Sequence, residues 1–173
     1  MDLYSIINIP HPTLKTKAQA VAGVTDDLRQ QMDRMLETMY EANGIGLAAN
    51  QVNLLNRIFV MDMSPREGGE REPVFVVNPQ IIWRSDERSV MEEGCLSIPG
   101  QYAEVERPAS VRLSYLDYNG NPSELVAEGL MSHCVQHELD HLDGILFIDH
   151  ISKLKRDMIV RRIEKMRKHG EIL

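Results

Sequence analysis

Gln136-His137-Glu138-Leu139-Asp140-His141 places two imidazole side chains four residues apart, with a carboxylate between them. On an α-helix about 3.6 residues make a turn and each adds about 1.5 Å, so His137 and His141 lie one above the other on one face. Glu138 falls beside that face, where it can reach a metal-bound water without being a ligand. The spacing therefore predicts a metal site on a helix.

The residues before and after this stretch favour the same helix. Its histidine face continues through an apolar stripe made of Leu130, Cys134, His137 and His141. Such a stripe faces the protein core, so we expect the imidazoles to be shielded from water. Gly129 is a candidate start and Asp143-Gly144 a candidate end. The alternative is two histidines that are packed or solvated without a metal, but a HExxH pattern on an apolar stripe favours the metal site.

A catalytic metal site usually has three protein ligands and one open position, so a third ligand is needed. The candidates are the two cysteines. Cys134 lies seven residues from His141, about 10 Å along the helix axis, and is interpreted as a small buried hydrophobic residue. Cys95 lies in a segment bounded by Gly94 and Gly100, which predicts an extended or turning backbone that allows close approach.

A third informative stretch runs from Gly44 to Val52, with the sequence GIGLAANQV. Its G-x-G follows a predicted helix and not a strand, so a dinucleotide-binding interpretation lacks its required context. Taken together, GIGLAANQ, EGCLS (93–97) and HELDH (137–141) resemble the three motifs of the peptide deformylase family, in the family's order. The resemblance covers most of the chain. It is closest to the bacterial and organellar class with a helical C-terminus.

The residues themselves outline a reaction. Cys95, His137 and His141 would hold one divalent metal, with water in the fourth position, and coordination lowers the pKa of that water toward ~7. The metal-bound water would attack a carbonyl while Glu138 acts as general base and then as general acid to the leaving nitrogen. We expect the Gln51 carboxamide and the Leu96 backbone N–H to stabilise the oxyanion, if the motifs converge as they do in deformylases.

The resemblance implies the substrate, which spacing alone would not. It implies hydrolysis of the N-formyl group on the initiator methionine of nascent peptides, with release of formate. Six residues would bind that substrate: Ile45, Glu93, Leu130 and Cys134 around the methionine side chain, and Gly46 and Gly94 along the peptide backbone. The alternative interpretation of Glu93 is a solvent-exposed acidic residue that does not contact the substrate. Tyr102 stands where many relatives carry a basic residue.

The family's usual metal is Fe(II), although zinc, nickel or cobalt can bind the same ligands. Two other functions remain open. A non-enzymatic protein with a structural zinc site would close the fourth position with Cys134 or another residue, and would leave Glu138 and Gln51 unexplained. A general metallopeptidase also uses a HExxH helix, but it would cleave unformylated peptides internally.

Composition indicates one domain, spanning 1–173, because 173 residues with 43% hydrophobic content can bury one core. The start lacks a basic segment followed by an apolar one, and no apolar run approaches ~18 residues. Two cysteines suit a reducing compartment. We therefore expect a cytoplasmic protein.

The fold class is predicted as α+β, with antiparallel strands packed around the central HExxH-bearing helix and further helices in the N-terminal half and at the C-terminus. An apolar stripe after a Thr25 cap predicts the first helix, ending before Gly44. The remaining predicted segments are strands at 57–63, 73–82 and 111–118, a turn at 119–120 and a mobile loop at 64–72.

The C-terminal segment is predicted to be an amphipathic helix with Ile159, Ile163 and Met166 on its apolar stripe. Residues 153–169 contain eight Lys or Arg and two acids, a net +6, whereas the whole chain carries −7 and the remainder therefore −13. Our hypothesis is that this basic helix docks on the ribosome near the tunnel exit. The alternative is a solvated helix whose basic residues complement its dipole. We expect no membrane partner and no sequence-specific nucleic acid.

Overall fold

The computed structural model describes residues 1–65 and 67–172. Within these two ranges, three α-helices and seven strands follow one another. They are α1 (Asp26–Glu41), β1 (Gly46–Ala48), β2 (Ile58–Asp62), β3 (Pro73–Arg84), β4 (Arg88–Cys95), β5 (Ile98–Pro108), β6 (Ser110–Leu116), β7 (Pro122–Glu128), α2 (Gly129–Leu142) and α3 (Lys153–Lys168). Three short 3₁₀ turns lie at Pro12–Lys15, Ala49–Val52 and Phe147–His150.

The strands form two antiparallel sheets. Five strands pair in the order β1-β2-β3-β6-β7, and β4 pairs with β5 in a separate hairpin. Strand β1 is therefore an edge strand of the larger sheet. The predicted α+β class, with three helices and antiparallel strands, is confirmed. That 1–173 form one catalytic domain stays a prediction.

Helix α1 begins where the sequence predicts. The Thr25 hydroxyl accepts a hydrogen bond from the Leu28 N–H at 3.2 Å, which satisfies a donor that the first turn leaves free. The buried methionines of this helix, Met32, Met35 and Met39, pack against β1 and β2. The methionine stripe is thus part of the core.

Helix α2 is the central helix, and nine of its residues are buried. It runs from Gly129 to Leu142, as predicted, and Gly144 follows with a φ of +76°. A Cβ on Gly144 would lie 2.6 Å from the Lys15 carbonyl oxygen, so only glycine fits there. The Ala18 N–H also donates to the Leu142 carbonyl at 2.7 Å. The N-terminal segment therefore holds the end of α2 in place.

Three predicted strands are confirmed with small shifts, as β2, β3 and β6. The sequence did not predict β1, β7 or the β4–β5 hairpin. In that hairpin the inward-facing positions include Glu93 and Arg107, which are buried as an ion pair, so the apolar alternation typical of a strand is broken. The predicted loop at 64–72 contains no helix or strand in its described part, and Arg66 lies outside the described residues.

Helix α3 buries Ile159 and Ile163 against an apolar cluster that includes Phe147 and Leu14, and Met166 packs at its margin. The predicted stripe is confirmed. Within 1–65 and 67–172, no helix combines the length and the apolar character that crossing a membrane requires.

Candidate metal centre and active site

The three predicted ligands meet in space. The Cys95 sulfur and one nitrogen from each of His137 and His141 all lie within 4.8 Å of one another. Cys95 ends strand β4, and the two histidines lie one turn apart on α2. The Cys95 Sγ is 3.3 Å from the His141 Nε2. Cys134 is buried on the same helix but does not belong to this group.

The pKa values of the two histidines shift in opposite directions. Burial, with help from His137 and Arg107, holds the pKa of His141 well below its usual range, so this imidazole is neutral as a ligand must be. Burial lowers the pKa of His137, but hydrogen bonds with Cys95 and Glu93 outweigh burial and hold that pKa well above its usual range. His137 is therefore protonated near neutral pH, and a metal bound there would have to replace a ring proton. A sulfur and two imidazole nitrogens are donors suited to zinc, iron, nickel or cobalt.

Glu138 follows His137 in the chain, next to the predicted ligands, and is 5% exposed. Burial raises its pKa to about 7, and His137 opposes that effect. Its Oε1 is buried without a hydrogen-bond partner among the residues that the structure describes. This carboxyl group can therefore accept and return a proton close to neutral pH.

The carboxamide of Gln51 has a fixed orientation. Its Oε1 accepts a hydrogen bond from the Ala48 N–H at 3.0 Å. Its Nε2 consequently points the other way, 3.5 Å from the Cys95 sulfur and 3.2 Å from the Ser97 Oγ. Leu96 follows Cys95 in the turn between β4 and β5. Both predicted oxyanion donors lie next to Cys95, a predicted metal ligand.

A cavity of about 400 Å³ opens in front of these groups. It is lined by all the predicted site residues except His141, namely Ile45, Gly46, Gln51, Glu93, Gly94, Cys95, Leu96, Leu130, Cys134, His137 and Glu138. Leu130 is 53% exposed and Ile45 39%, so both lie at its open side. Tyr102 also lines the cavity, and its ring covers Gly94 so closely that a Cβ there would be 2.5 Å from it.

Glu93 is not a surface acid, because it is only 7% exposed. It lines the cavity as expected, but both of its oxygens are bound by other protein groups. The Arg107 guanidinium donates to both oxygens at 2.7 and 2.9 Å, and His137 Nδ1 lies 2.9 Å from Oε1. Burial would raise the pKa of Glu93, yet hydrogen bonds from His137 and Arg107 hold it far below its usual range. The carboxylate is thus engaged in holding His137, a predicted metal ligand.

Sequence reasoning missed Arg107 and His133. The His133 Nδ1 lies 2.8 Å from the Glu93 Oε2, and Arg107 also donates to Asp140 at 2.8 Å. A signal for His133 was present, since it stands four residues before His137 just as His141 stands four after. No local pattern marks Arg107, whose partner Glu93 is fourteen residues away on the other strand of the hairpin.

A family model described as polypeptide deformylase matches residues 3–157 of the chain. The chain belongs to the polypeptide deformylase family. The peptide deformylase of Phenylobacterium zucineum is 53% identical over 165 residues, covering 95% of this chain and 97% of the relative. That of Rhizobium meliloti is 50% identical over 168 residues, covering 97% of this chain and 96% of the relative.

Solved structures agree with this assignment. The crystal structure of peptide deformylase from Ehrlichia chaffeensis matches with a TM-score of 0.92 at 36% identity, over 99% of this chain and 100% of that chain. A structure of the Ehrlichia chaffeensis enzyme in complex with actinonin matches with a TM-score of 0.90 at 40% identity, over 95% and 98% of the two chains. Peptide deformylases are metallohydrolases that remove the formyl group from nascent peptides, and this chain is an enzyme of that family.

Gly46 is predicted to be essential for the position of Glu138. A Cβ at Gly46 would lie 2.7 Å from the Glu138 Oε2 and 2.9 Å from its Cδ, while the φ of Gly46 is outside the left-handed region. Gly46→Ala should therefore displace the carboxylate without straining the backbone and lower turnover by about 10- to 100-fold. Turnover is measured with formyl-Met-Ala-Ser, together with metal content, which should not change.

Gly23→Ala is the matched control, because nothing lies within 4 Å of a Cβ at Gly23 and its φ is also outside the left-handed region. Wild-type turnover in a folded Gly46→Ala protein would contradict the steric argument.

Proposed function

We propose that this deformylase hydrolyses the formyl amide of N-formylmethionyl peptides at a single divalent metal bound by Cys95, His137 and His141. The observation that carries the proposal is the convergence of those three ligand atoms within 4.8 Å at a cavity that Glu138 also lines. A divalent metal bound there supplies Lewis acidity, which activates a water molecule and polarises the formyl carbonyl.

Glu138 moves the proton in this proposal. Its unpartnered, buried Oε1 takes a proton from the attacking water and later delivers it to the leaving amine nitrogen. A carboxyl group whose pKa is raised to about 7 by burial is suited to both steps. The products are formate and a peptide with a free N-terminus.

Two donors stabilise the developing oxyanion. The Gln51 Nε2 is aimed toward Cys95 because the Ala48 N–H holds the other end of the carboxamide. The Leu96 N–H belongs to the residue directly after a proposed ligand, in a tight turn. Donors that are held before the reaction cost no reorganisation during it.

The peptide chain would bind along the edge of β1. This strand has a neighbour in the sheet on one side, β2, so its other edge can pair with an extended backbone at Gly46, with Gly94 opposite. The methionine side chain would enter the cavity between Ile45, Leu130 and Cys134. Glu93 would form part of the cavity wall, and its negative charge would be balanced by the guanidinium of Arg107.

Glu138→Gln tests the reaction. The substitution keeps the size of the side chain but removes the base, so turnover of formyl-Met-Ala-Ser should fall by roughly 10²–10⁴ while bound metal persists. Glu104→Gln is the matched control, since Glu104 is exposed on β5 and does not line the cavity. Turnover near the wild-type rate with metal retained would rule out Glu138 as the base. Internal cleavage of unformylated peptides would favour a metallopeptidase instead.

We propose Fe(II) as the metal in the cell, with zinc, nickel or cobalt able to bind the same ligands. A Cys95 thiolate beside iron is susceptible to oxidation, so activity of the iron form should decay in air. The nickel form should keep much of the activity and lose it more slowly in peroxide. Equal half-lives of the two forms, measured side by side, would count against iron as the native metal.

We propose that the basic faces of α3 dock on the ribosome, which would place the enzyme in the cytoplasm beside emerging chains. Ile159 and Ile163 fix one face of the helix in the core, whereas Arg161, Lys165 and Lys168 are exposed. Reversing these three charges to Glu should reduce salt-sensitive co-sedimentation with ribosomes and leave formyl-tripeptide turnover intact.

The control for this prediction reverses three exposed charges elsewhere, at Lys17, Arg84 and Arg112, which changes the net charge equally. Equal losses of co-sedimentation in both triple variants, or no loss in either, would reject a docking role for α3.

A further inference from the structure

A row of hydrogen bonds leads from strand β4 through α2 to a proposed metal ligand. The Ser89 Oγ lies 2.9 Å from the His133 Nε2, and the His133 Nδ1 lies 2.8 Å from the Glu93 Oε2. The other carboxylate oxygen, Oε1, is 2.9 Å from the His137 Nδ1. His133 is 2% exposed, so the row is closed to solvent at its centre.

The carboxylate of Glu93 is saturated by these contacts. Each oxygen accepts two hydrogen bonds: Oε1 from Arg107 Nη2 and His137 Nδ1, and Oε2 from Arg107 Nε and His133 Nδ1. An ionised carboxylate only accepts, so the Nδ1 of both histidines must carry a hydrogen. The Nε2 of a neutral His137 is then available to bind a metal, and the Nε2 of a neutral His133 accepts from the Ser89 hydroxyl.

We propose that His133, held by Ser89, is a positioning residue that fixes the Glu93 carboxylate and thereby aims His137 at the metal. This inference rests on the proposed metal site. Without His133, the buried Oε2 keeps only the Arg107 Nε, and Asp140 binds Arg107 from the other side at 2.8 Å. The carboxylate can then turn toward the guanidinium and weaken its bond to His137. Such outer partners of a ligand typically contribute about 10- to 100-fold to metal affinity.

Two other roles for these side chains are less consistent with the contacts. Ser89, His133 and Glu93 have the connectivity of a Ser-His-acid nucleophile triad. However, Ser89 is not among the described residues that line the cavity, and Arg107 binds both oxygens of the acid. The second alternative is that His133, which lines the cavity, contributes only its volume to the cavity lining. That role would make its nitrogen atoms dispensable, which can be tested.

The experiment measures the rate at which the Co(II)-loaded protein loses its metal to a chelator, followed by the visible absorption of the bound ion. His133→Ile removes both nitrogens and should increase the loss rate by about 10-fold. His133→Asn should remain near the wild-type rate, because the Asn amide N–H can replace the Nδ1 donor to Glu93. Ser89→Ala should give a smaller increase than His133→Ile, since the Nδ1 donor remains.

Leu130→Ala is the control for an effect of cavity shape alone, because it alters the cavity lining without changing a contact of Glu93. This variant should raise KM and leave the rate of Co(II) loss unchanged. A wild-type loss rate in folded His133→Ile, or equally fast loss in His133→Asn, would overturn the inference. If His133→Ile does not fold, a wild-type loss rate in Ser89→Ala overturns it instead. Failure of the wild-type protein itself to retain Co(II), by contrast, would overturn the proposed metal site and this inference with it.

Discussion

The buried ion pair between Glu93 and Arg107 is the constraint on which the rest of the site depends. Arg107 is 4% exposed and Glu93 7%, and their two short hydrogen bonds link β4 to β5. The desolvation of such a pair is costly unless every remaining donor and acceptor is satisfied. Helix α2 satisfies them, through His133 and His137 on the carboxylate and Asp140 on the guanidinium. These contacts therefore fix the position of the β4–β5 hairpin relative to helix α2. That position brings Cys95, at the end of β4, close to His137 and His141.

Two glycines allow close packing at the edge of the cavity. At Gly46 the absence of a side chain leaves room for the Glu138 carboxylate, which sits within 3 Å of where a Cβ would be. At Gly94 the same absence admits the ring of Tyr102. Both glycines lie on strands that border the cavity, and the space that a side chain would take at each is filled by a neighbouring side chain. Burial of Glu138, which raises its pKa to about 7, follows from the same close packing.

Much of the fold and site could be predicted from the sequence because those features depend on local periodicity. His137, Glu138 and His141 are related by helical geometry alone, and the methionine stripe of α1 by the same rule. Strands β2, β3 and β6 carry the apolar residues that burial in a sheet requires. The assignment of Cys95, Gln51 and the cavity residues relied on the three motifs together, which a family resemblance connects and local spacing does not.

By itself, the sequence determined which helix carries the predicted metal ligands, which of two cysteines could join them, and that the C-terminal helix is basic outside one apolar stripe. Only the tertiary structure decided the partners of Glu93. The sequence assigned this residue to the methionine pocket, which stays a prediction, and did not indicate that its carboxylate also contacts His137. The same is true of the β4–β5 hairpin and of the link from Ser89 to His133. The physical reason is that the role of a buried charge depends on the groups that bind it, and these are distant in the chain. Arg107 is fourteen residues from Glu93, His133 is forty and His137 is forty-four.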